Sequence, residues 1–244
     1  MPRLEGSRAL VFGGARRLGR AIALGLAEGG ADVAIASHST TGDAEDTADA
    51  IRALGRRSAA VACDVHSVEQ IERAVGEATE ALGGLDVLVY ASAGGFRASA
   101  PEDVDAALFD EAVGTILRGG FFAAQSAHAR MAEHGGVIVF ITDVAGLQEW
   151  PSFAAHSVAK AGLAHLARIL AKAWAPAIRV CSVAPGTVLP EAASDEESLR
   201  RAASAAALGR VGTPEDIVGA VRYLVEADYV TGHELVVDGG RILG

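Results

Sequence analysis

Residues 8–30, RALVFGGARRLGRAIALGLAEGG, decide how this chain folds. Residues 8–12 (RALVF) are a short apolar run and read as a strand buried on both faces. The run breaks at Gly13-Gly14-Ala15-Arg16-Arg17-Leu18-Gly19-Arg20, and residues 18–29 then repeat apolar side chains at helical spacing. A glycine turn in this place lets the backbone approach a pyrophosphate, and the unpaired N–H groups of the helix start face its oxygens. The plainer alternative is a glycine turn that only packs helix against sheet. The order strand, turn, amphipathic helix favours the phosphate loop.

The alternation continues downstream. Further strands are expected at 32–36 (DVAIA), 59–63 (AAVAC), 86–90 (DVLVY), 137–141 (VIVFI), 178–183 (IRVCSV) and 235–237. Helices are expected at 43–54, 68–82, 104–131 and 152–174, and the Ala-rich stretch 200–207 also reads as helix. Strict β/α alternation implies an α/β fold: a doubly wound parallel sheet of about seven strands with helices on both faces. Pro and Gly fall at element ends, and no stretch has the composition of a linker, so residues 1–244 are expected to form a single domain.

Composition narrows the function. Of 244 residues 50% are hydrophobic, which excludes intrinsic disorder. The formal net charge of −10 argues against nucleic acid and against an anionic membrane surface as partners. Cys63 and Cys181 are too few for a disulfide framework. The first residues lack an apolar signal core, and no uninterrupted apolar run reaches the roughly 18 residues of a membrane span. A cytoplasmic protein is expected.

The second strand ends Ala36-Ser37-His38-Ser39-Thr40, without the carboxylate that holds the ribose 2′-hydroxyl in NAD sites. Arg16 and Arg17 belong to the neighbouring loop. Two guanidiniums, an imidazole and hydroxyls suit a 2′-phosphate, so NADP(H) is favoured as cofactor. The alternative for either arginine alone is a solvated surface side chain.

These motifs resemble the short-chain dehydrogenase/reductase family over essentially the whole chain, and imply its single-domain Rossmann fold. The first loop is similar to the family's TGxxxGxG, with Phe12 for Thr and Arg17 for the middle Gly; the resulting GxxxRxG resembles the pteridine reductase branch. The resemblance gives Gly13, Ala15, Arg16, Arg17, Leu18 and Gly19 to the phosphates, and Ser37, His38 and Ser39 to the adenosine ribose. Asp64 and Val65, in Cys63-Asp64-Val65, take the adenine position. Ala91, Ser92 and Ala93, before Gly94, stand where the family has Asn-Asn-Ala-Gly. Pro185-Gly186-Thr187 matches the turn at the nicotinamide end. Residues 208–210 (LGR) and 214–216 (PED), then Tyr229-Val230-Thr231-Gly232 and Val237-Asp238-Gly239-Gly240, match the C-terminal signature. Assembly as a homodimer or homotetramer through the two long helices is implied as well.

The family's catalytic identities change here. Its Tyr-x-x-x-Lys pair aligns with His156 and Lys160, its Ser with Asp143, thirteen residues before His156, and its Asn with Ile116. The resemblance therefore implies His156 as acid/base, Asp143 as the group that orients it, and Lys160 on the nicotinamide ribose. An imidazole can donate the proton that a carbonyl oxygen needs, and an acidic neighbour fixes its tautomer. The reading is an NADP(H)-dependent oxidoreductase that reduces a carbonyl, or oxidises an alcohol, of a small molecule. The alternatives are a non-redox lyase, isomerase or cyclase, or a catalytically silent cofactor-binding protein, on the same fold.

Other chemistry is thinner. Tyr90, at the carboxyl end of the fourth strand, either lines the pocket or packs. Tyr223 is expected on the core face of the late helix. His66, His128, His134, His165 and His233 are scattered without metal spacing, so no metal is expected. The run Asp195-Glu196-Glu197 reads as a solvated helix start within a segment, 188–207, that the family uses as a substrate lid.

Overall fold

The computed structural model describes residues 4–38, 42–188 and 196–243. Seven strands form one parallel sheet in the order β3-β2-β1-β4-β5-β6-β7. They are β1 (Arg8–Phe12), β2 (Asp32–Ser37), β3 (Ser58–Ala62), β4 (Val87–Tyr90), β5 (Gly136–Ile141), β6 (Ile178–Pro185) and β7 (Glu234–Val237). All six neighbouring pairs are parallel. Every residue of β4, β5 and β6 is buried, which is why β4 and β5 read as apolar runs. The chain moves outward from β1 to β3 and then resumes at β4 on the other side of β1. The crevice at this reversal, above the carboxyl ends of β1 and β4, is where such sheets bind ligands.

Two apolar layers hold helices to the sheet. On one face α1 (Arg17–Glu28), α2 (Asp43–Ala53) and α8 (Pro214–Glu226) cover side chains such as Val11, Ile35, Val89 and Val183. On the other, α3 (Val68–Leu82), α5 (Gly119–Met131) and α6 (Ala154–Trp174) cover Leu10, Phe12, Leu88, Tyr90 and Phe140. The alternation of these residues along each strand sends neighbours to opposite layers. The remaining helices are α4 (Ala106–Ala112) and α7 (Glu196–Ser204). Among the described residues no helix is long and apolar enough to cross a membrane, and no group of His, Cys, Asp or Glu has metal-site geometry.

Two sequence expectations need correction, and one open alternative, at Tyr90, is decided. The helix expected over 104–131 is not continuous: after α4 it widens to π geometry over Val113–Arg118 before α5 begins. Tyr90 Oη donates to the Thr115 carbonyl within that stretch, an insertion of the kind that opens a helix locally. Tyr90 is itself fully buried between Phe12 and Phe140, so it packs and does not line a pocket. Burial pushes its phenol well above the usual tyrosine range, which removes it as a proton donor. Tyr223 is 54% exposed, because α8 turns Ile217, Val221 and Leu224 inward and leaves position 223 on the outer side.

Candidate active site

The loop between β1 and α1 is shaped by backbone that side chains would obstruct. Gly13 has φ +75°, and a Cβ on it would lie 3.0 Å from Ala91 C and Ser92 N. At Gly19 a Cβ would fall 2.0 Å from the Gly13 carbonyl oxygen. The loop and the end of β4 thus converge on one spot, and α1 points its first N–H groups there. Arg17 has φ +49°, a left-handed conformation that costs about 1–2 kcal/mol for a residue with a Cβ. The chain keeps a glycine's backbone shape at this position while carrying a guanidinium.

Arg16 and Arg17 are exposed. Arg16 Nε lies 3.5 Å from Asp43 Oδ2 at the start of α2, a contact between well-solvated groups and therefore weak. Ser37 is half-buried at the end of β2 and His38 is exposed beside it. Ser39 and Thr40 lie outside the described residues. Across the crevice, Asp64 Oδ1 accepts from the His66 N–H at 3.0 Å and folds the chain around Val65. His66 is not isolated as expected. Its Nε2 lies 3.0 Å from Thr115 Oγ1 and 3.3 Å from Glu111 Oε2, joining the β3 end to α4 and the π segment. Pro185 closes β6, the Gly186 N–H donates to the Val237 carbonyl at 3.0 Å, and Thr187 follows at the rim.

The three expected catalytic side chains come together at the end of β5. Asp143 opens a short 3-10 turn, and its Oδ1 accepts from the Ala145 N–H at 2.8 Å. That bond aims Oδ2 at His156 Nε2, 3.3 Å away. His156 is on the first turn of α6 and only 3% exposed. Its Nδ1 is buried with no protein partner among the described residues, and Phe96 lies edge-on against the ring at 4.9 Å between centroids. Lys160, one turn further along α6, is buried and donates from Nζ to the Ile141 carbonyl at 2.7 Å. Burial pushes its pKa down to about 8, partly opposed by the Asp143 carboxylate. Ile116 is fully buried in the apolar layer and offers this cluster no polar group.

Four side chains near this cluster escaped the sequence reading. Phe153 stacks on Phe96 at 4.5 Å, Trp150 meets Phe153 at 6.2 Å, and the Arg241 guanidinium lies 5.0 Å above the Trp150 ring. The Asp-Gly-Gly turn before Arg241, which brings the tail back over the sheet, was the one available signal. A cavity of about 650 Å³ opens instead at the amino ends of the strands, among Arg8, Asp86, His134 and Arg179. Its arginines are engaged by the fold: Arg8 pairs with Asp86 at 2.7 Å, and Arg179 donates to the Leu224 and Val225 carbonyls at the end of α8.

The residues at the carboxyl edge fit a dinucleotide. The glycine cradle and the α1 N-terminus suit a diphosphate, β2 ends without a carboxylate next to two arginines, and a buried lysine and an unpartnered imidazole nitrogen lie beyond. Comparison with known proteins agrees. The family profile described as enoyl-(acyl carrier protein) reductase matches residues 13–241. The chain is 36% identical to an L-rhamnose 1-dehydrogenase (NAD(P)(+)) from Sphingomonas sp., over 98% of both chains. A solved dehydrogenase/reductase from Sinorhizobium meliloti 1021 superimposes with a TM-score of 0.91 at 34% identity, covering 98% of this chain and 97% of that one. A short-chain dehydrogenase from Burkholderia cenocepacia J2315, solved in complex with NADP, gives a TM-score of 0.91 at 33% identity over 99% of this chain and 100% of that one. With its fold, its cofactor edge and these relatives agreeing over nearly its whole length, the chain belongs to the short-chain dehydrogenase/reductase family of oxidoreductases.

Proposed function

We propose that this protein is an NADP(H)-dependent carbonyl reductase, or alcohol dehydrogenase in the reverse direction, in which His156 stands in for the family's tyrosine. The observation that carries this reading is the buried His156 paired with the half-buried Asp143 beside Lys160. When bound, the nicotinamide supplies or accepts the hydride. Asp143 holds one imidazole proton on Nε2. A second proton, when the ring carries one on Nδ1, has no acceptor among the described residues and is there to be delivered to a substrate oxygen. In the oxidation direction the neutral ring takes the hydroxyl proton at the same nitrogen. Phe96, edge-on against the ring, borders the approach of a substrate to it. Lys160, anchored on the Ile141 carbonyl, would hold the nicotinamide ribose with its other N–H groups.

The preference for NADP(H) rests on Arg16, Arg17 and the carboxylate-free end of β2, with Ser37, His38 and Ser39 at the 2′-phosphate. Gly13, Ala15, Leu18 and Gly19 hold the diphosphate, Asp64 and Val65 the adenine, Ala91, Ser92 and Ala93 the adjoining ribose, and Pro185, Gly186 and Thr187 the nicotinamide amide. The 244 residues work as one cofactor-binding domain, assembled as a dimer or tetramer in the cytoplasm, a compartment in keeping with two buried free thiols. The test is a fluorescence titration with NADPH and NADH, followed by turnover against a panel of carbonyls. Tighter NADPH binding with carbonyl-dependent NADPH oxidation is expected. Equal or reversed affinities overturn the cofactor assignment, and NADPH binding without turnover of any carbonyl favours the non-redox alternative.

A further inference from the structure

An aromatic wall runs from the imidazole to a cation at the far rim. His156 touches Phe96, Phe96 stacks on Phe153, Phe153 meets Trp150, and Trp150 carries Arg241 on its face. Gln148 fixes the outer end: its Nε2 donates to the Arg241 carbonyl at 3.3 Å, and its Oε1 accepts from Trp150 Nε1 at 3.3 Å. Arg241 Nη1 donates to Thr187 Oγ1 at 3.2 Å, which ties the cation to the turn at the end of β6. All of these groups follow the carboxyl ends of β4, β5, β6 and β7, on the side of the sheet where the catalytic candidates sit.

Arg241 is held there without a counter-charge. Among the described residues no carboxylate pairs with it, and its protein partners are one hydroxyl and one ring. The nearby Asp238 is committed to the backbone, accepting from the Gly240 and Ile242 N–H groups at 2.8 Å each. A guanidinium has five N–H donors in a planar fork, and the fork matches a carboxylate that binds through both oxygens. In a chain of net charge −10, an arginine held beside aromatic rings with no carboxylate partner among the described residues is suited to an anion.

We infer that the substrate is a carbonyl compound, or the corresponding alcohol, with a flat apolar body and a carboxylate at its far end. The body lies along Phe96 and Phe153, and the carboxylate docks on Arg241. This rests on the oxidoreductase reading above for the reacting end, but the anion site stands on its own geometry.

The test uses the full-length protein with 4-acetylbenzoate and its longer homologue 4′-acetylbiphenyl-4-carboxylate, each beside its amide. Wild type is expected to prefer at least one acid over its amide in kcat/KM by roughly 10–100-fold, through KM, as a charge-assisted hydrogen bond allows. Arg241→Gln should bring that ratio to about one, and Arg241→Lys should keep part of it. Calorimetric titration of the same acids into NADP⁺-loaded protein separates the two claims. If no ketone is turned over but acid binding is lost in Arg241→Gln, the anion site holds and the oxidoreductase reading fails. If ketones are turned over with the same acid-to-amide ratio in wild type and Arg241→Gln, the anion site is wrong and the redox reading stands. If neither acid binds wild type, the inference is overturned.

Discussion

Arg17 joins two demands in one side chain. Its left-handed backbone strains the protein, and under the proposed NADP(H) reading its guanidinium serves the 2′-phosphate. Arg17→Gly should therefore hold or raise stability, by up to about 1 kcal/mol, while weakening NADPH about tenfold and NADH much less. Thermal melts and fluorescence titrations check both halves; an equal loss for the two cofactors contradicts the assignment. Lys160 is strained in another way, by burial of a charge. Its pKa of about 8 in the folded protein lies below the ordinary 10.5, so between these pH values the unfolded chain binds the extra proton. Stability of the cofactor-free protein should accordingly rise with pH through that window, by on the order of 3 kcal/mol, and level off below about pH 8, where folded and unfolded chains both carry the proton. Denaturant melts of wild type and Lys160→Met check this, because the variant should lack the rise. A parallel pH dependence in both proteins rules out a buried, charged Lys160.

Elements were legible wherever one local signal governed them. The β1 loop, the buried strands and the Asp143 to His156 spacing all follow from short-range chemistry, and the structure has the last two within 3.3 Å as expected. The π segment was not legible, because it depends on a hydroxyl from Tyr90, 25 residues away in the chain. Arg241 and the aromatic wall stayed hidden for the same reason, since they meet only after the sheet has formed. Tyr223 misled because a helix of mixed Val, Leu and Tyr does not declare which stripe faces inward. The π segment also carries Ile116, at the family's Asn position, pointing into the core. Ile116→Asn should not restore a polar catalytic group. It should bury an amide among apolar side chains and destabilise by roughly 2–4 kcal/mol in urea melts. A variant as stable as wild type with higher turnover contradicts that placement.

At the scale of the molecule, apolar side chains remain on two outer faces. On α6 Val158 and Ile169 are 58% and 52% exposed, and near the C-terminus Tyr229 and Leu243 are 100% and 81% exposed. Exposed apolar side chains of this kind suit burial in closed two-fold assemblies. Light scattering at micromolar concentration should report a dimer or tetramer, and Val158→Glu with Ile169→Glu should lower the mass; a monomeric wild type contradicts this. The proposed function makes the molecule a cofactor platform of its family whose proton donor has moved from a phenol to an imidazole. The measurement that bears most directly on this is carbonyl reduction with NADPH by wild type, His156→Ala and His156→Tyr. His156→Ala should lose on the order of 10²–10⁴-fold in turnover with NADPH affinity nearly unchanged, because the phosphates and adenine are held elsewhere. A wild type inert toward every carbonyl, with reductase activity appearing only in His156→Tyr, would instead mean that the native site has abandoned hydride chemistry.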